Sequence, residues 1–200
     1  MTQARVQLEK LGIRDFNALR FPDQATALAD TNILGEVVSD LRARFPQVEV
    51  ALERRAHGGV KTFQLVGETN LGNIRGGSRK ALGQWWPFRS RLDAAMGRTR
   101  TAQHRIGAFT NDGSFQGTVR HELGHMMEDN ISHTAMAEWR DLYASKSKDW
   151  WSTRCSTYGS SDYSEAFAES FSAFTNPIRT QPLDPLIEDY FNRVLYKRTR

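Results

Sequence analysis

Residues 121–125 read His-Glu-Leu-Gly-His. Two histidines four positions apart on a helix share one face. From that face both imidazoles reach one tetrahedral ion, while Glu122 projects beside it toward a bound water. Zinc lowers the pKa of such a water to near neutrality, and Glu122 can take its proton and later pass it to a leaving amine. The chemistry this spacing predicts is zinc-dependent peptide hydrolysis with one ion, His121 and His125 as metal ligands and Glu122 as the catalytic base. Val119, Leu123 and Met126 or Met127 recur at three and four residues, as a helix requires.

A catalytic zinc takes three protein ligands and leaves one position open. A third histidine six residues after the second is absent, since position 131 is Ile131, and His133 lies just beyond the expected helix end. The better source is the run from Tyr158 to Phe174, in which Glu165 and Glu169 are again four apart. Ala166, Phe167, Phe171 and Phe174 give that segment a packing face. One carboxylate can ligate the ion while the other, one turn away, supports a ligating histidine from behind. Glutamates at this spacing are ordinarily a solvated stripe, and it is their position downstream of the histidine pair that singles them out. Tyr158 taken alone reads equally well as a loop tyrosine. Cys155, the single cysteine, has no assembled partner and is not expected to be a nucleophile.

The histidine motif, followed by Ser-Thr-Tyr158-Gly-Ser-Ser-Asp-Tyr-Ser-Glu165-Ala-Phe-Ala-Glu169-Ser-Phe, resembles the lethal-factor-like zinc metallopeptidases. That group includes the anthrax lethal factor catalytic domain and the Pro-Pro endopeptidases, with related domains in phage and secreted bacterial proteins. Its pattern is a Tyr-Gly pair, a glutamate seven residues after the tyrosine, and an Ala-Glu step beyond. The resemblance spans roughly residues 105–175 and departs at Asp162, where asparagine is frequent. It implies that Glu165 is the third zinc ligand, that Tyr158 donates a hydrogen bond to the tetrahedral oxyanion, and that Glu169 stands behind a ligand. It also implies a zincin-like domain.

The elements that must position these residues follow from periodicity. Leu28, Ile33, Leu34, Val37, Val38 and Leu41 predict a helix over 24–45, stopped at Phe45-Pro46. Alternation predicts strands at 48–52 and 60–66, then a glycine-rich loop over 67–83. Trp85-Trp86-Pro87-Phe88 reads as a satellite core under that loop. Residues 104–110 read as a strand closed by the turn Asn111-Asp112-Gly113-Ser114. Helices are expected at 115–130, 133–147, 163–175 and 184–197. The expected fold is therefore α+β, a single domain over 1–200 that the resemblance implies is zincin-like, with an N-terminal helix and small mixed sheet over 1–100 and a zinc-binding helical portion over 101–200. The resemblance to zinc peptidases implies an edge strand above the metal-binding helix that pairs with an extended peptide. The strand at 104–110 is expected to fill that place, with Gly107 and Ala108 allowing close approach and His104 within reach of substrate. His57, beside Gly58-Gly59, reads as turn chemistry.

Composition sets the outer bounds. Two hundred residues make one ordinary domain, and one cysteine excludes an internal disulfide. The net charge of +4 and pI near 9.4 come with no nucleic-acid-binding signature, so a solvated basic surface is expected and nucleic acid is not. No run approaches a bilayer-spanning helix, and the opening residues lack the apolar core of a secretory signal. The expected partner is a protein or peptide substrate and not a membrane. Two other classes are compatible with the chain: a virion or head-associated structural domain retaining the metal site, and a toxin or effector domain delivered by sequence outside it.

Overall fold

The computed structural model describes residues 6, 15–19, 24–53, 62–66, 83–86, 91–95, 115–178 and 182–196, with side chains for residues 6, 28–52, 115–178 and 182–196. Seven helices carry the description: α1 (Gln24–Arg44), α2 (Pro46–Glu53), α3 (Phe115–Glu128), α4 (His133–Ala144), α5 (Lys148–Arg154), α6 (Tyr163–Thr175) and α7 (Pro185–Tyr196). Four short strands are described through their backbone: β1 (Asp15–Leu19), β2 (Thr62–Val66), β3 (Gly83–Trp86) and β4 (Arg91–Ala95). They pair in the order β1-β2-β4-β3, with β3 alone antiparallel to its neighbour. β3 and β4 lie beside α3.

The expected α+β class is corrected by where the packing lies. Of the residues whose side chains are described, 79% are helical and none is in a strand. The described core and the site it supports are built from helices and the short segments that join them, with no strand contributing a described side chain. The strand expected at 48–52 is part of α2, with Val48 and Ala51 buried three residues apart. A five-residue apolar run fits both periods, and Pro46 decides between them, because its fixed φ suits the first helical position. Phe45 separates α1 from α2 and accepts from the amides of Val48 and Glu49, which starts the second helix. α5 was not anticipated: among its seven residues only Trp151 is buried. Of the loop expected at 67–83, only Gly83 is described, and it opens β3; the strand expected at 104–110, with His104, Gly107 and Ala108, lies outside the described residues, as does His57.

The helical body closes around α3 and α6. Val119, Leu123 and Met126 form a fully buried stripe on α3, and Phe167 and Phe171 form one on α6. Trp139 of α4 is fully buried, 5.5 Å from Trp151, 5.4 Å from Phe167 and 4.9 Å from Tyr190, centroid to centroid. Such aromatic contacts combine large apolar burial with preferred edge and tilted geometries. The Trp139 indole donates to the Tyr163 carbonyl at 2.8 Å and so fixes the start of α6. A Cβ at Gly124 would stand 2.8 Å from Ala168 Cα and 3.2 Å from its carbonyl oxygen. Only glycine lets α3 and α6 approach this closely. No described helix is long and apolar enough to cross a membrane.

Candidate metal centre

α3 presents His121 and His125 on the face opposite its apolar stripe, with ring centroids 4.9 Å apart. α6 brings Glu165 to the same point. Its Oε2 lies 3.2 Å from His121 Nε2 and 3.5 Å from His125 Nε2. Despite that proximity, Oε2 makes no hydrogen bond among the described residues. The three donor atoms lie within 4.8 Å of one another. Donors about 2.0–2.1 Å from a tetrahedral zinc are separated by about 3.3 Å, which matches the two measured contacts. Two imidazole nitrogens and one carboxylate oxygen also form a donor set of the kind catalytic zinc uses. His125 and Glu165 keep 19% and 20% of their side chains exposed, so one side of the cluster reaches solvent.

The geometry behind each ligand explains why its Nε2 is available. His121 Nδ1 is 2.7 Å from Glu169 Oε1, and that carboxylate is fully buried. A carboxylate only accepts, so Nδ1 carries a hydrogen, and Nε2, which faces Glu165, is the nitrogen left for a metal to take. His125 Nδ1 is 3.2 Å from Ser164 Oγ, which in turn donates to Glu128 Oε2 at 2.5 Å. Asp162 caps α6 by accepting from the amides of Ser164 and Glu165, both at 2.9 Å.

Tyr158 stands in the segment between α5 and α6, which is held by small residues. Gly159 donates to Ser156 Oγ at 2.8 Å, and a Cβ at Gly159 would fall 2.7 Å from the Cys155 sulfur. The ring of Tyr158 lies 5.9 Å from that of His121, and its hydroxyl donates to Glu165 Oε1 at 2.8 Å. That bond occupies one oxygen of the carboxylate and leaves Oε2 toward the histidines. Glu122, next to His121 on α3, is buried, and its negative charge is felt by both His125 and Tyr158.

The titration of these groups reflects their crowding. Burial alone would lower His125, but its contacts with Glu128 and Glu165 and the charge of Glu122 outweigh this and raise it to about 10. Burial opposes the charging of His121 too, and contacts with Glu165 and Glu169 raise it nonetheless. For Glu165 the two imidazoles overcome the effect of burial and hold the carboxyl well below its usual range. Burial and the neighbouring Glu165 push the Tyr158 phenol up, so it remains a donor at neutral pH. A pair of histidines set among Glu122, Glu128, Glu165 and Glu169 is an environment that favours positive charge.

The structure thus brings together His121, Glu122, His125, Tyr158, Glu165 and Glu169. His133 is exposed at the start of α4 and takes no part. Cys155 is fully buried, and burial with the charge of Glu169 pushes its thiol up to about 12. Sequence reasoning missed Glu128 and Ser164. The only available hint was an acid three residues after His125 on the same helix. No protein-family model matches the chain, and no curated protein matches it.

Proposed function

We propose that this chain is a zinc-dependent peptidase in which His121, His125 and Glu165 hold the ion. The observation that carries the reading is Glu165 Oε2 lying 3.2 and 3.5 Å from the two Nε2 atoms without a hydrogen bond to either. Bound there, zinc would supply Lewis acidity, polarising a substrate carbonyl and making water more acidic. Glu122 would accept a proton from water at its carboxylate and return it to the departing amine. With their Nδ1 atoms against Glu169 and Ser164, the two imidazoles would present Nε2 to the ion. Tyr158 offers its protonated hydroxyl, now on Glu165 Oε1, to the oxygen that gains charge as the carbonyl is attacked. The four-residue histidine spacing and the tyrosine-to-glutamate step support the same reading, in line with the lethal-factor-like resemblance.

The test combines zinc content with peptide-library cleavage for the wild type and three variants. The expectation is about one zinc per chain and cleavage that falls by roughly 10²–10⁴-fold in Glu122→Gln with zinc retained. Glu165→Gln should lose zinc more readily than Glu169→Gln, since the first removes a ligand and the second only the support of one. A wild type that retains no zinc under any loading condition would sink the metal site. Zinc-loaded protein without turnover on any library would sink the peptidase.

A further inference from the structure

His121 and His125 are supported in different ways. Glu169 reaches His121 Nδ1 directly at 2.7 Å. Glu128 lies 3.7 Å from His125 Nδ1, too far for a hydrogen bond, and Ser164 Oγ fills the interval. A serine hydroxyl has one hydrogen and two lone pairs. With that hydrogen given to Glu128 Oε2, the Oγ can only accept from the imidazole. Building on the zinc reading, we propose that Glu128 and Ser164 act as one positioning relay for His125: Nδ1–H donates to Ser164 Oγ, and Ser164 O–H donates to Glu128 Oε2.

Two features favour a relay over a chance contact. The relay joins two helices, since Glu128 belongs to α3 and Ser164 to α6, so it forms only when both are docked. Ser164 also stands next to Glu165 in the capped first turn of α6, where Asp162 holds both amides. The residue that orients one ligand is therefore fixed by the same cap as the residue that supplies another. Neither Glu128 nor Ser164 contributes to the three-atom donor cluster itself.

The relay is tested with Zn²⁺ and Co²⁺ alone on the full chain, without reference to turnover. Ser164→Ala and Glu128→Gln should each weaken Zn²⁺ binding by roughly 10–100-fold, measured by competition with a chromophoric chelator. Each should also shift the visible absorption bands of the bound Co²⁺, which respond to ligand orientation and would not move for a merely structural role. The double variant should lose no more affinity than the weaker-binding single, because either change breaks the same chain of bonds. Metal-free melting temperatures close to wild type confirm that both variants fold, and Glu128→Gln serves if Ser164→Ala does not. Unchanged Zn²⁺ affinity and Co²⁺ spectra in both singles would overturn the relay while leaving the zinc site standing. Losses that multiply in the double variant would overturn it too. A wild type that binds neither ion would instead remove the zinc reading on which the relay rests.

Discussion

At the scale of single residues, the site is a charge-balance problem with a measurable pH signature. In metal-stripped protein His125 is raised to about 10 and His121 is raised as well, both from an ordinary 6.5. Groups raised on folding add stability that is full below 6.5 and is lost as pH climbs through their folded values. Glu165, depressed from 4.5, adds stability above that value and loses it as the pH falls. The site's contribution to the chelator-treated protein should therefore be greatest between 4.5 and 6.5 and decline toward pH 10. Zinc reverses the alkaline trend, because its ligands must shed protons to bind. Melting curves with zinc and with chelator, taken across this range, should diverge as the pH rises; parallel curves would contradict the assignment.

At the scale of elements, the decisive feature is how closely α3 and α6 lie. Gly124→Ala should destabilise the fold by about 1–3 kcal/mol, because the new methyl would press on the backbone of Ala168 rather than on a movable side chain. Urea denaturation measures it, and zinc affinity should fall with it as Glu165 is displaced from the histidines. Both helices were legible in the sequence. His121, His125, Glu165 and Glu169 sit on period-four faces, with Val119, Leu123, Phe167 and Phe171 on the opposing apolar stripes. Val48 to Leu52 misled because a run that short fits a strand as well as a helix, and α5 was hidden by its polar composition. Ser164 and Glu128 were out of reach for a different reason. Their meaning depends on two helices meeting, and no local spacing encodes that.

At the scale of the molecule, the site is anchored from behind by a buried guanidinium. Arg120, next to His121 and 1% exposed, donates to Asp40 Oδ2 at 2.8 Å and to the Thr175 carbonyl at 2.9 Å. Arg44 bonds the same carbonyl and the same carboxylate. The cluster ties α1, α3 and the end of α6 into one unit. Asp40→Ala should cost roughly 2–3 kcal/mol, near the lower edge for breaking a buried pair because Asp40 is itself partly solvated. Denaturant titration checks this, and the loss should be the same with and without zinc if the anchor serves folding rather than the ion. Nothing in the sequence marked Arg120 as different from the other arginines, since burial of a cation is decided only by the assembled helices.

Cys155 gives the protein an internal clock. It is the only thiol in the chain, sealed beneath Gly159, with its sulfur 3.4 Å from Ser170 Oγ and its ionisation pushed up to about 12. Thiolate chemistry at neutral pH therefore has to wait for an opening that exposes the sulfur. The rate at which an alkylating reagent labels the native protein should report that opening. Zinc, by holding Glu165, to which Tyr158 is bonded, should slow the clock; labelling at the same rate with and without the ion would mean that the thiol is exposed by an opening independent of the site.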